Sequence, residues 1–313
     1  MRNHITINKP IGLLLILSLL VLSACSKTDE NLSSGELNSA VQQASETIPE
    51  KSEPVIIEED WGNVFDGING AAVIYSPSEN SYRIYNRETA LVRRSPCSTF
   101  KIVSSLIALE NNVIEPNNSV RKWSGEEFWN EDWNKDIGFE DAFRTSCVWY
   151  YRKIIDEIGT DTIQEALDEL NYGNCDISDW EGRLNTNNNN RALTGFWIES
   201  SLKISPKEQV EVLERIFGEN SIYSRNSRNY LEQVMLVPKT QNTETLIYGK
   251  TGMGKSYGVV VDSWFTGFAD TVSERIYFCV YLGETDGKNV SSTKAKEIAL
   301  KIISQYSNEN RTQ

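Results

Sequence analysis

Three strand-like runs follow one another near the C-terminus with no helix between them, and nothing else in the chain limits its fold as strongly. They cover 246–251, 259–268 and 275–282, with short polar turns between. Strands joined this directly pair antiparallel, because a parallel pair needs a crossover of a dozen or more residues. The segment that follows places Ala295, Ile298, Ala299, Ile302, Ile303 and Tyr306 at i, i+3, i+4, i+7, i+8 and i+11. That spacing predicts one amphipathic helix laid against the sheet. Residues 70–75 and 82–85 read as two further strands around a turn, while 115–240 is helical in pattern with long loops, including a polar run at 185–190. Trp123, Phe128, Trp129 and Trp133 predict a satellite apolar cluster. The fold class expected is α+β: an antiparallel sheet flanked by helices, with a helical insertion subdomain.

The first 24 residues are not part of that fold. Arg2 and Lys9 precede an apolar run from Leu13 to Leu22, which is too short for a confident membrane span. It ends in Leu22-Ser23-Ala24-Cys25, which resembles a bacterial lipobox. The resemblance implies cleavage before Cys25, lipidation of its thiol, and an exported protein held on the outer side of a membrane. Residues 25–60, rich in Ser, Glu, Asn and Thr, read as a flexible tether. The globular part is expected over 61–313. With 39% hydrophobic residues and 8 Trp, 13 Tyr and 10 Phe, it can bury a core. The net charge is -13 and no basic patch stands out, which disfavours nucleic acid as a partner.

Cleavage would also remove His4, the only histidine. A mature chain without histidine excludes a Ser-His-Asp triad and any zinc site that needs His. A nucleophilic enzyme built from this chain needs another base. Cys97, Cys147, Cys175 and Cys279 fit no metal or redox spacing and read best as four separate small core residues, although an exported chain could pair some of them.

A helix is predicted after Pro96. Phe100, Ile102, Val103, Leu106, Ile107 and Leu109 leave it apolar on most sides, yet its start carries Ser98 and Lys101. At i and i+3 these two side chains share a face. A serine hydroxyl attacks only when a neighbour takes its proton, and a lysine can do so only as a neutral amine, which burial favours. The helix N-terminus offers N–H groups to a developing oxyanion. A second element, Lys250-Thr251-Gly252, lies on a predicted strand, where it can offer a cation, a hydroxyl and a flat backbone to a carboxylate.

Together, Ser98-x-x-Lys101 and Lys250-Thr251-Gly252 resemble the penicillin-recognising serine enzymes. Further motifs resemble class D (oxacillinase-type) β-lactamases in particular: Ser146-Cys147-Val148, Tyr172-Gly173-Asn174, Phe196-Trp197 with Leu202–Pro206, and Trp264-Phe265-Thr266-Gly267. The match runs from Gly70 to Ile303. It implies that Ser98 forms an acyl-enzyme with a β-lactam. Lys101, carbamylated by CO2 or bicarbonate, would be the general base, and no other cofactor or metal would be needed. Trp197 would donate a hydrogen bond to the carbamate, and Val148 and Phe100 would keep its pocket dry. Ser146 and Lys250 would relay a proton to the lactam nitrogen, and Lys250 and Thr251 would hold the substrate carboxylate. Gly252 would let the ligand lie flat, and the N–H groups of Ser98 and Met253 would form the oxyanion hole. The sequence departs from the family between Gly287 and Lys296: it has no Arg there, and Ser291 falls about where one would help bind the carboxylate. Two other functions share parts of the pattern. Sensor domains of transmembrane β-lactam receptors acylate without turnover, and the single short N-terminal segment here favours a free-standing enzyme instead. D,D-transpeptidases lack the Ser146-x-Val148 and Trp197 motifs.

Overall fold

The computed structural model describes residues 52–183, 190–239 and 244–309. The leader 1–24, Cys25, most of the tether and most of the asparagine run at 185–190 lie outside the described residues. Six strands form one sheet: β1 Val55–Glu58, β2 Gly70–Ser76, β3 Ser81–Tyr85, β4 Leu246–Ser256, β5 Val259–Asp270 and β6 Arg275–Gly283, in the order β1-β3-β2-β6-β5-β4. The helices are α1 Gly62–Phe65, α2 Arg87–Ala90, α3 Lys101–Glu110, α4 Phe139–Arg144, α5 Val148–Ile158, α6 Thr160–Leu170, α7 Pro206–Phe217, α8 Arg225–Met235 and α9 Ser292–Glu309. The α+β class holds, with the helical middle inserted between β3 and β4.

Every strand pair is antiparallel except β1 with β3, which run parallel from Val55↔Ser81 to Glu58↔Ile84. This strand falls inside the segment read as tether, so order begins before residue 61. Its Val-Ile-Ile run favours extended backbone. Val55 and Ile56 stay exposed, so backbone pairing and the Arg83–Glu59 ion pair (2.8 Å) hold it more than burial does.

Alternation along the strands sends neighbouring residues to opposite faces of the sheet. Ala72, Ile74, Phe265, Ile276, Phe278 and Val280 meet Ala295, Ile298, Ala299, Ile302 and Ile303 of α9. Ala71, Val73, Trp264, Phe268 and Tyr277 face the inserted helices. With both faces covered, β2 is buried along its whole length. In the insertion, α3 is buried from Lys101 to Leu109. Helix α7 opens with Pro206 in its first turn and a capping box: Ser205 accepts from the Glu208 N–H, and the Glu208 carboxylate accepts from the Ser205 N–H. Phe128 and Trp133 join the core, whereas Trp129 is 78% exposed and only lies against Trp133 with ring centroids 5.1 Å apart. All four described cysteines are free thiols, and Cys97, Cys147 and Cys279 are buried. Among the described residues no helix is long and apolar enough to cross a membrane.

Candidate active site

Ser98 lies in a short 3-10 turn, Cys97–Phe100, and the α-helix proper begins only at Lys101. This refines the expected helix start. Three residues per turn eclipse positions i and i+3, so the turn aligns Ser98 with Lys101 more closely than an α-helix would. Cys97 has φ +50, a left-handed conformation that costs a non-glycine residue about 1–2 kcal/mol. Surrounding hydrogen bonds hold it there. The Cys97 N–H donates to the Trp197 carbonyl (2.9 Å), and the Trp264 indole donates to the Ser95 carbonyl (3.0 Å). The Ser95 hydroxyl donates to the Trp197 carbonyl (3.1 Å) and accepts from the Glu199 N–H (2.8 Å). Strain fixed in this way is found where a reactive group must be presented. Cys97, Thr99 and Phe100 are buried, and Ser98 alone of the turn is part-exposed.

The Lys101 side chain is only 1% exposed, and its Nζ donates to Ser98 Oγ at 3.0 Å. Its ammonium lies 5.0 Å from the centre of the Tyr151 ring. Burial pulls the amine from 10.5 down to about 8, although the nearby Cys147 and Cys97 thiols oppose the fall. Roughly one molecule in ten is then a free amine at pH 7, against well under one in a thousand for an exposed lysine. A free amine at this distance can accept a proton from the hydroxyl beside it.

Ser146 sits where α4 ends. Its N–H bonds the Phe143 carbonyl (3.2 Å) and the Cys147 N–H bonds the Ala142 carbonyl (2.8 Å), the paired closure of a helix C-terminus. The left-handed position of this closure usually takes glycine; here Ser146 holds it at φ +61. Its hydroxyl accepts from Lys250 Nζ at 2.7 Å. Lys250 is 4% exposed and also donates to the Thr251 carbonyl (3.1 Å). Burial first, then the positive charges of Lys101 and Lys296, push its amine well below the usual lysine range. Beside Lys250, Thr251 is part-exposed, Gly252 buried and Met253 exposed. A Cβ on Gly252 would lie 3.0 Å from the Pro96 carbonyl oxygen and from Thr99 Cγ2, so glycine lets β4 close on the serine turn.

Around these polar groups the walls are aromatic. Phe100 packs edge-on against Tyr172 (5.6 Å) and Phe196 (5.3 Å) and lies 6.1 Å from Trp197. Val148, half-buried at the start of α5, packs against the same core. Trp197 is fully buried, and its indole N–H has no hydrogen-bond partner among the described residues. A buried donor left unpaired costs about 1–3 kcal/mol, so it marks a place for an acceptor. Asn174 ties the turn after α6 to the Trp197 segment: its amide donates to the Ser201 carbonyl (2.9 Å) and accepts from the Lys203 N–H (2.8 Å).

The structure thus joins Ser98 to Lys101 and Ser146 to Lys250 by hydrogen bonds, and Phe100 to Trp197 by ring contact. Ser291 stands at the start of α9. Its hydroxyl oxygen accepts from the Lys294 N–H (3.1 Å) and its carbonyl from Ala295, so it caps α9. Among the described residues it makes no hydrogen bond to Lys250 or Thr251. Lys296, one turn further on, supplies the charge from this segment that reaches Lys250. Tyr151 was not singled out from the sequence. Its place three residues after Val148, on the same face of α5, was the available signal.

A family model described as the penicillin binding protein transpeptidase domain matches residues 69–304. The regulatory protein BlaR1 of Staphylococcus aureus is 31% identical over 239 residues, covering 76% of this chain. This chain spans only 38% of the length of that relative. The β-lactamase OXA-1 of Escherichia coli is 32% identical over 245 residues, covering 77% of this chain and 86% of its own. Among solved structures, the C-terminal domain of the Bacillus licheniformis BlaR penicillin-receptor matches with TM-score 0.70 at 29% identity, over 82% of this chain and 98% of that domain.

Proposed function

This chain belongs to the penicillin-binding protein transpeptidase-domain family, in the group that holds class D β-lactamases and BlaR-type receptor domains, and on that premise we propose that it hydrolyses β-lactams. Ser98 Oγ would attack the lactam carbonyl carbon while its proton passes to the Lys101 side chain. The N–H groups of Ser98 and Met253 would take the oxyanion. As the C–N bond breaks, Ser146 would give a proton to the lactam nitrogen and be reprotonated from Lys250, at 2.7 Å. Lys250 and Thr251 would hold the substrate carboxylate, and Lys296 would add positive potential from α9.

Water must then release the acyl group, and that water also needs a base beside Ser98. The pocket fits a carbamate on Lys101: the amine is buried and partly neutral, its surroundings are aromatic, and the Trp197 N–H is unpaired. A carbamate held there by Trp197 would supply the base for that hydrolysis. The single observation that carries the reading is the dry Lys101 amine at 3.0 Å from Ser98. We also infer that Cys25 is lipidated and anchors the exported protein to a membrane, which the mass of the mature N-terminal peptide tests.

Turnover of a chromogenic cephalosporin, with and without added bicarbonate, separates the readings. Steady turnover that rises with bicarbonate is the expected result. The likeness to the BlaR receptor domain favours a second reading, a sensor, which would give one burst equal to the protein present and then stop. No acylation at all would sink both.

A further inference from the structure

The face of the Trp197 indole is covered by a cation that the chemistry above does not use. Arg152, on α5, is 7% exposed and its guanidinium carbon lies 5.5 Å from the centre of the Trp197 ring and 5.1 Å from that of Trp180. It is held in that slot from three sides. Nε donates to Asp156 (3.0 Å), Nη2 pairs with the same carboxylate, and Nη1 donates to the Trp180 carbonyl (2.8 Å). The Trp180 indole donates to Asp156 as well (3.2 Å), so one carboxylate fixes both the guanidinium and the neighbouring ring. Trp180 stacks on Phe196 at 5.2 Å, and Phe196 meets Trp197 edge-on at 5.2 Å. Gly195 leaves room for the ring: a Cβ there would lie 2.0 Å from it.

We propose that Arg152 is a positioning residue for the Trp197 indole, and through it for carbon dioxide capture at Lys101. The inference rests on the carbamate reading above. In that reaction the neutral Lys101 amine forms an N–C bond to CO2, one amine proton leaves to solvent, and an anion remains in an apolar pocket. Such an anion survives only where a donor waits in a fixed place, and the Trp197 N–H, beside Phe100, is a buried donor without a partner among the described residues. A planar guanidinium over the ring fixes its tilt, and its positive charge draws electron density from the indole and strengthens the N–H as a donor. The same helix carries Tyr151 beneath the Lys101 ammonium, so adjacent residues of α5 serve the two partners.

The test follows the carbamate carbon directly, by NMR of the whole protein titrated with 13C-bicarbonate. Arg152→Met should raise the bicarbonate needed for half-occupancy about tenfold, the size a desolvated cation–π contact supports. Arg152→Lys, which keeps the charge but not the plane, should fall between that variant and the parent. Ile302→Ala, a destabilising change on the far face of the sheet, should not move the titration. Unchanged half-occupancy in Arg152→Met, with a parent signal present, overturns the inference and leaves the carbamate reading standing. An equal shift in Ile302→Ala overturns it too, because the effect would then be general loosening. If the parent shows no carbamate carbon, the underlying reading fails and this one with it.

Discussion

The two faces of the sheet are built to different rules. Against α9 the contacts are almost wholly apolar, from Ala72, Ile74 and Phe278 to Ile298, Ile302 and Ile303. Each fully buried isoleucine or phenylalanine side chain there contributes about 1.5–3 kcal/mol. Against the inserted helices the sheet faces a core that also encloses Lys101, Lys250, Ser104, Ser105 and Arg152 and borders left-handed backbone at Cys97 and Ser146. Those features cost stability, and each lies beside or within the reactive constellation. One face makes the domain stable enough for the other to hold buried amines and an indole N–H that is unpaired among the described residues. The stabilising core and the candidate site are separated here by one layer of strands.

Lys101→Ala challenges that division of the sheet most severely. It should lower steady turnover by about 10³-fold, close to 4 kcal/mol of barrier, while some acylation survives. Full turnover in this variant would dismiss Lys101 as the base. Next comes Ile302→Ala, which should cost about 2–5 kcal/mol of unfolding free energy in denaturant titrations and leave turnover of the folded fraction unchanged. Lys101→Met should do the reverse in bicarbonate-free buffer. The amine falls from 10.5 in the unfolded chain to about 8 in the folded one, so folding is opposed fully below about pH 8 and not at all above 10.5. Removing that opposition should stabilise the protein by up to about 3 kcal/mol at pH 7, with the gain shrinking as pH rises toward 10.5. The smallest effect on folding belongs to Ser146→Gly. Relief of the left-handed serine is offset by glycine's entropy, so stability should shift by no more than about 1 kcal/mol. Turnover should still fall about 10²-fold. A large loss of stability there would mean that the hydroxyl, and not the backbone, closes α4.

Much of this arrangement was legible from residue patterns. The three C-terminal strands and α9 declared themselves through their periods, and all six apolar positions named on α9 are buried. Ser98, Lys101, Ser146 and Lys250 stood in ordered motifs, and the structure pairs them. What stayed hidden depends on geometry that letters do not encode. Four residues with no buried face, Val55–Glu58, carry no period, so β1 merged with the polar run before it. Cys97 and Ser146 adopt positive φ without being glycine, which only their hydrogen bonds reveal. Trp129 reads like the core aromatics beside it but projects into solvent. Arg152 looked like any charged helix residue, because its meaning lies in two indoles, at positions 180 and 197, that come to it from a distant loop.

The junction between β2 and β6 bears on how such a chain is born. Ala72 sits opposite Val280, so the early β2–β3 hairpin must wait for β6, the last of the described strands, before the sheet can close. Loop closure over that separation is slow, and a nascent chain released short of residue 277 would present β2 with a bare hydrogen-bonding edge. Closure of the sheet only once β6 is available, rather than strand by strand from β1, is the order that this pairing imposes.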